Sequence, residues 1–172
     1  MTYERMSYSQ YRDALSGRRL PCALINLDAL DANIATIRSW VEDTGNTIRV
    51  ATKSIRVPWV LDHLRKSLGD LYGGLMCLTV EEAGFLHGRG FDDLLIAYPS
   101  VQSSDLKLLA GLTKKGAKAS LVVDSEEHLR ALSEVGKAQK TELGAILEID
   151  MSYRPLGDAT HLGVRRSPVQ KA

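Results

Sequence analysis

The chain has 172 residues, of which 44% are hydrophobic and 25% are charged, and its formal net charge is +1. The length is enough for one domain with a substantial core, and the composition is ordinary for a globular protein. A net charge near zero gives no reason to expect nucleic acid or an anionic membrane surface as a partner. No apolar run is long enough to cross a bilayer, and the first twenty residues lack the apolar core of a signal peptide, so a cytoplasmic location is expected.

The chain begins with a strand followed by a helix. Residues 22–27 (CALINL) predict the first strand. Asp28 can cap the helix that follows. Apolar residues recur along this helix at helical spacing, namely Leu30, Ile34, Ile37 and Val41. The second strand covers 47–53, and a second helix is predicted from Pro58 to Leu68, because proline suits the first helical turn.

The same alternation continues along the chain. The four remaining predicted strands are 72–78, 93–97, 118–123 and 143–150. The segment Thr79-Val80-Glu81-Glu82 has the form of a capping box at the start of a helix. The predicted starts and ends of the three intervening helices are Thr79 to Gly88 or Gly90, Ser103 or Ser104 to about Lys115, and Asp124 or Ser125 to about Gln139.

Strands that alternate with helices of this length form right-handed βαβ units around a parallel sheet. The repeat of about 25 residues is close to the unit of an eight-stranded barrel. A doubly wound sheet uses similar units, but no glycine-rich phosphate loop follows the first strand, where Asn26-Leu27-Asp28 stands. The sequence therefore predicts an α/β fold of the (β/α)8 TIM-barrel type. The barrel is expected to be incomplete, with about six strands, since closure needs eight strands and roughly 250 residues.

This pattern divides the chain into three predicted segments. Residues 1–20 form a helical or irregular lead, residues 21–150 form the partial barrel, and residues 151–172 form a loop or tail that leaves the sixth strand. The tail contains prolines and glycines and shows no helical period. A chain with six barrel strands is expected to be a fragment, a truncated gene product or half of an assembly.

The residue whose position most suggests chemistry is Lys53, at the end of the second strand. A lysine there must be desolvated, paired or chemically used, and its amine is suited to Schiff-base chemistry. In the alternative interpretation its tip simply reaches solvent. Side-chain alternation directs four charged residues toward the barrel interior, namely Arg49, Lys53, Glu148 and Asp150. They could neutralise one another as a structural layer, or Lys53 and Asp150 could serve an active site at the carboxyl ends of the strands, with Arg49 and Glu148 as supports.

Two further side chains are weaker candidates. Tyr98 follows the fourth strand and could contact a ligand or simply pack at the rim. His161 lies in the tail and could donate a proton or a hydrogen bond. The four histidines are scattered, and Cys22 and Cys77 have no metal or redox spacing, so no metal site is expected.

Several segments resemble the alanine-racemase-like barrel, the third fold type of pyridoxal-phosphate enzymes. Residues 21–34 (PCALINLDALDANI) resemble its opening strand and helix. Residues 49–53 (RVATK) resemble the arginine-to-lysine segment of the D-threonine aldolase and D-serine dehydratase branch. Further segments similar to that branch are 93–99, 122–125, 148–150 and 161–164. The likeness covers roughly residues 20 to 170 and keeps its order throughout.

The resemblance implies that pyridoxal 5'-phosphate is the cofactor and that Lys53 carries it as an aldimine. It also implies cofactor contacts for Arg49, Tyr98 and Asp150, support from Glu148 and a catalytic role for His161. The expected activity is that of a lyase or racemase acting on small amino acids, mainly of D configuration, by aldol cleavage, deamination or racemisation. Members commonly form homo-oligomers that share active sites.

The sequence also departs from the family in ways that leave the reaction open. Ala51 stands where the aldolase and dehydratase branch usually has histidine. Racemases often have lysine at the position of Glu148 and arginine at that of His161. The later strands that hold the cofactor phosphate, the β-rich second domain and the metal-binding residues of the aldolase branch have no counterpart here. Two alternatives therefore stand beside the enzyme, namely a non-catalytic pyridoxal-phosphate carrier and an inactive piece of a longer enzyme that lacks its C-terminal portion.

Overall fold

The computed structural model describes residues 5–158 and 160–170, and the chain divides into two compact units. The first comprises the described residues up to Ile48 together with Asp62–Tyr72. The second comprises Arg49–Leu61 together with the described residues from Gly73 onward. The helices are α1 (Tyr8–Ala14), α2 (Leu27–Val41), α3 (Pro58–Leu68), α4 (Val80–His87), α5 (Ser103–Lys114) and α6 (Glu126–Gln139). The strands are β1 (Ile48–Ala51), β2 (Tyr72–Cys77), β3 (Leu94–Ile96), β4 (Ala119–Val123), β5 (Gly144–Leu147) and β6 (Pro155–Asp158).

The second unit is organised around one five-stranded sheet with the order β1-β2-β3-β4-β5. The pairs from β2 to β5 are parallel, and each strand lies beside the next one in the chain. Sequential order with helical crossovers is the arrangement of a (β/α) barrel, whereas a doubly wound sheet reverses its strand order at a switch point. The predicted parallel α/β architecture is therefore confirmed, with five strands in the sheet rather than about six.

One face of this sheet packs against helices and forms the core. Strand residues in register on that face are almost completely buried, namely Leu75, Cys77, Leu94, Ile96, Leu121 and Val123. From the helices, Ala83 of α4 and Leu109 of α5 are also fully buried. Each large apolar side chain buried in this way stabilises the fold by about 1.5–3 kcal/mol relative to leaving it exposed.

Local helix signals are reproduced closely in the structure. Helix α3 begins at Pro58 and ends at Leu68 as predicted. Thr79 caps α4 by accepting a hydrogen bond from the Glu82 amide at 3.1 Å, and Gly88 follows the last helical residue. The capping box is modified, because the Glu82 carboxylate accepts from the amide of Leu78 instead of Thr79.

Two predicted helix caps are wrong. Asn26, not Asp28, is the N-cap of α2, since its side chain accepts a hydrogen bond from the Ala29 amide at 3.0 Å. Helix α5 begins at Ser103 itself, and its N-cap is Gln102, whose side chain makes no capping bond. The predicted cap of α6 by Ser125 is confirmed.

The predicted first strand, 22–27, is also wrong. Residues 22–26 are irregular and Leu27 already belongs to α2. Leu24 and Ile25 remain 40% and 45% exposed. A strand exists only where a neighbour completes its backbone hydrogen bonds, and no sheet neighbour for this segment is found in the described part of the chain.

The tail contains more structure than the predicted loop. Tyr153 and Leu162 form an antiparallel bridge, with backbone hydrogen bonds of 3.0 and 2.7 Å in the two directions. Strand β6 lies between them in the chain. The segment therefore turns back on itself after β5. The three-way division of the chain into lead, partial barrel and tail stays a prediction.

Candidate functional site

Lys53 lies in a short 3-10 turn, Thr52–Ser54, that immediately follows β1. At the start of this turn, the buried Thr52 hydroxyl donates a hydrogen bond to the Met76 carbonyl at 3.0 Å. The strand predicted to continue through Lys53 therefore ends at Ala51. With Thr52 turned inward, the Lys53 side chain lies exposed at the carboxyl end of the strand.

A small pocket with a volume of about 10 Å³ adjoins Lys53 at the carboxyl ends of β1, β2 and β3, and we call it the Lys53 pocket. It is lined by Lys53, Met76, Cys77, Leu78, Ala97, Tyr98 and Arg166. None of the lining side chains is a carboxylate. Within the described residues Lys53 makes no ion pair or hydrogen bond, so its amine is available to a ligand.

The Cys77 thiol, which lies in the pocket wall, has low reactivity. Cys77 is 1% exposed, and burial raises its pKa from 9.0 to about 12. The Glu82 carboxylate adds to the rise, while Arg49 opposes it. The thiol is therefore protonated at neutral pH, and a protonated thiol is neither a good nucleophile nor a metal ligand.

Arg49 does not line the pocket but joins strands elsewhere in the sheet. Its guanidinium donates to the Asp93 carbonyl at 2.7 Å and to the Asp93 carboxylate at 2.6 Å, with a weaker bond to the Leu75 carbonyl at 3.3 Å. Gly74 lies directly beneath it at φ +94, where a Cβ would stand 2.1 Å from the Asp93 carbonyl oxygen. We call Arg49, Gly74 and Asp93 the arginine clamp.

The two inward carboxylates predicted for the last strand have separate partners. Glu148 pairs with Arg166 at 3.2 Å, and Asp150 pairs with Arg154 at 2.6 Å. Hydrogen bonds hold the pKa of Asp150 below its ordinary value, first from the Ser152 amide and then from the Ser152 hydroxyl and Arg154, against the opposing effect of burial.

The predicted mutual neutralisation of Arg49, Lys53, Glu148 and Asp150 is therefore wrong. Three of the four have other ion-pair partners, namely Asp93 for Arg49, Arg166 for Glu148 and Arg154 for Asp150. Lys53 alone of the four is left without one within the described residues.

The structure unites some of the candidates and separates others. Lys53 and Tyr98, both placed at strand ends by the sequence, line the same pocket. His161 is exposed in the tail and does not line it, and Asp150 lies outside it as well. Arg166 was missed by sequence reasoning because it follows no predicted element. Its only signal is its place two residues after the segment 161–164, which resembles the family.

No cluster of three or more His, Cys, Asp or Glu side chains suited to a metal ion occurs among residues 5–158 and 160–170. Over the same residues, no helix combines the length and the apolar character needed to cross a membrane.

Comparisons with known proteins place the chain among proteins with a related barrel domain. Residues 25–170 match the family model described as alanine racemase, N-terminal domain. The chain is 32% identical over 140 residues to a 3-hydroxy-D-aspartate aldolase of Paracoccus denitrificans, a match that covers 81% of this chain and 36% of that protein. Among solved structures it resembles the D-threonine aldolase of Filomicrobium marinum, at TM-score 0.69 and 28% identity over 77% of this chain and 35% of that one. It also resembles the D-threo-3-hydroxyaspartate dehydratase of Delftia sp. HT23, at TM-score 0.72 and 25% identity over 86% and 37%.

The chain therefore belongs to the alanine racemase N-terminal domain family. The predicted resemblance and the (β/α)8-barrel type of fold are confirmed by these matches. The chain spans little more than a third of the length of the relatives that it matches.

Proposed function

We propose that this chain supplies the amine-bearing part of a pyridoxal-phosphate site that acts on small β-hydroxy D-amino acids. The single observation that carries the proposal is the position of Lys53. It lies at the carboxyl end of a barrel strand, where active sites of this fold occur, and it lines a pocket without an ion-pair partner among the described residues.

The donor set around the Lys53 pocket fits such a cofactor. A primary amine is the group that bonds to an aldehyde, and the surface beside it is apolar where Met76, Leu78 and Ala97 line the pocket. Arg166 adds a cation for an anionic substituent. When bound, the cofactor supplies an electron sink for bonds at the α-carbon of an amino acid.

The residues of the chain have separable tasks in this proposal. Lys53 holds the cofactor through Nζ, and when freed it can move a proton at the α-carbon of the substrate. The buried Thr52 fixes the turn from which Lys53 extends. Because Cys77 stays protonated, it does not compete with Lys53 for the aldehyde.

The remaining roles are carried over from the family resemblance. His161 is proposed as a proton donor, and Arg49, Tyr98 and Asp150 are proposed as cofactor contacts, with Glu148 as their support. Of these five, only Tyr98 lines the pocket in the described conformation.

The names of the relatives favour aldol cleavage as the reaction. An aldolase breaks the Cα–Cβ bond of a β-hydroxy amino acid, and with D-threonine the products would be glycine and acetaldehyde. Release of ammonia instead would indicate deamination, and formation of L-allo-threonine, the α-carbon epimer of D-threonine, would indicate racemisation. Binding of the cofactor without any of these reactions would favour the carrier function.

The direct test is to incubate the chain with pyridoxal phosphate, reduce it with borohydride and map the modified lysine by mass spectrometry. We expect one dominant pyridoxyl group, on Lys53, and its loss in Lys53→Ala. The matched control is Lys115→Ala, which removes an exposed lysine outside the pocket. Modification spread over many surface lysines and unchanged in Lys53→Ala would contradict the proposal.

A further inference from the structure

Arg166 is held at the Lys53 pocket by a buried tether. The next residue, Ser167, is only 3% exposed, although it is polar and belongs to an irregular segment. Its hydroxyl donates to the Glu148 carbonyl at 2.7 Å and accepts from the Val169 amide at 3.0 Å. A buried serine with both capacities satisfied fixes the backbone on which Arg166 stands.

The side chain of Arg166 is also oriented. Its Nε lies 3.2 Å from a Glu148 carboxylate oxygen, and its guanidinium carbon lies 5.5 Å from the centroid of the Tyr98 ring. Its terminal nitrogens have no hydrogen-bond partner within the described residues. Because the guanidinium is held at Nε and along one face, its two terminal nitrogens remain available to donate hydrogen bonds to a ligand.

The charge of the pocket lining is unbalanced. Its two charged side chains, Lys53 and Arg166, are both cationic. Glu148 offsets part of the Arg166 charge from outside the lining, while Lys53 has no counter-ion within the described residues. A ligand that bonds to Lys53 therefore gains from an anionic group at its other end.

We propose that Arg166 is the anion receptor of the Lys53 pocket and binds a carboxylate or phosphate oxyanion through its terminal nitrogens. The identity of the ligand rests on the proposed function. The oxyanion has two possible sources there, the phosphate of the cofactor or the carboxylate of an amino acid. The forked donor geometry of arginine matches both groups.

The first test compares pyridoxal phosphate with pyridoxal, which lacks the phosphate. Equilibrium affinities are measured from the absorbance of the lysine adduct in wild type, R166Q and the matched control R165Q, whose arginine is exposed and outside the pocket. If the phosphate is the source, R166Q weakens pyridoxal phosphate about 10- to 100-fold, the usual effect of a charge-assisted hydrogen bond. The affinity for pyridoxal then stays unchanged. Equal weakening of both compounds in R166Q would overturn the proposal, since pyridoxal carries neither oxyanion.

The second test removes the dependence on Lys53. In a K53A background, calorimetry measures the binding of inorganic phosphate and of D-threonine to chains that also carry R166Q or R165Q. If R166Q weakens the binding of one of the probes and R165Q does not, the result supports Arg166 as the anion receptor and identifies which oxyanion it binds. If R166Q weakens binding in this way while Lys53 of the wild-type chain forms no adduct with pyridoxal phosphate, the proposed function is refuted and the receptor stands.

A third variant separates charge from geometry. R166K keeps the positive charge but loses the fork, so it should recover only part of the affinity that R166Q loses. Thermal melts are expected to be the same for R166Q and R165Q, because the Arg166 side chain is 46% exposed. If R166Q and R165Q bind every probe equally, Arg166 is not the receptor.

Discussion

At the scale of single residues, Thr52 controls where Lys53 is presented. Its side chain is 1% exposed, and its hydroxyl is bonded to the Met76 carbonyl of the adjacent strand. A β-branched apolar residue of the same size would continue the strand equally well, but it could not donate that bond. The hydroxyl thus holds the turn that follows the strand, whose last residue, Ala51, lies two residues before the candidate catalytic lysine.

Thr52→Val should therefore both destabilise the chain and weaken cofactor attachment. The substitution leaves the buried Met76 carbonyl without this donor, which costs about 1–3 kcal/mol of unfolding free energy. We expect slower formation of the Lys53 adduct as well, because the turn is released. Thr113→Val is the control, since that hydroxyl bonds a carbonyl within its own helix at 3.0 Å and should matter little. Equal rates of adduct formation in Thr52→Val and wild type would show that Thr52 does not affect the reactivity of Lys53.

The two cysteines should differ sharply in reactivity. Cys22 is exposed and Cys77 is buried with a pKa of about 12. A thiol-specific colorimetric reagent at pH 8 should therefore modify one thiol rapidly in the native chain and two after denaturation. In Cys22→Ser the rapid reaction should disappear; two rapid thiols in the native wild type would contradict the burial of Cys77.

The same thiol gives a pH dependence of stability. A pKa that is higher in the folded than in the unfolded chain means that the folded state retains the proton longer. The contribution of Cys77 is fully present below the unfolded pKa near 9.0 and declines as pH rises toward about 12. Denaturant melts of wild type should therefore weaken over this interval more than those of Cys77→Ala. Parallel decline of both proteins would show that Cys77 is not the cause.

At the scale of elements, helices were predictable and strand partners were not. Helix α3 was located by Pro58, a signal that is local in sequence. The segment 22–27 has strand composition, but its state depends on a neighbour that composition cannot encode. The candidate site shows the same division: Lys53 and Tyr98 follow from their positions at strand ends, whereas Arg166 reaches the pocket from an irregular tail.

The arginine clamp is an element-scale feature of this kind. Arg49 and Asp93 are 44 residues apart in the chain, yet their bonds join β1 to the start of β3 over the surface of β2. The close approach is possible because position 74 has no Cβ and tolerates φ +94. Strand alternation assigned Arg49 to the face opposite Val50 but gave no information about this partner.

Gly74→Ala should therefore destabilise the second unit strongly. The new Cβ would overlap the Asp93 carbonyl oxygen and meet the Arg49 guanidinium at 2.6 Å, in a backbone conformation that alanine disfavours. We expect a loss of at least about 2 kcal/mol in urea denaturation. Gly111→Ala is the matched control, since it lies within α5 with nothing within 4 Å of its Cβ and should stabilise by about 0.5–1 kcal/mol. Similar stability of the two variants would argue against the clamp.

At the scale of the whole molecule, β5 is an edge strand of the sheet that the described residues form. Ile146 and Leu147 of this strand are 42% and 43% exposed, well above the buried residues of β4 beside it. The following tail adds further exposed apolar side chains, namely Met151, Tyr153, Leu156, Leu162 and Val164. An edge strand with exposed apolar residues is a template for pairing with another chain.

We therefore expect the chain to self-associate at micromolar concentration, with β5 in the contact. Ile146→Lys should shift sedimentation velocity profiles toward monomer, because a lysine on an edge strand opposes strand pairing. Leu129→Lys is the control, as it charges a comparably exposed aliphatic position, 46%, on α6 instead of on the sheet edge. Equal association of the two variants would show that the contact does not involve β5. A wild type that stays monomeric over the same concentrations would contradict the expected self-association.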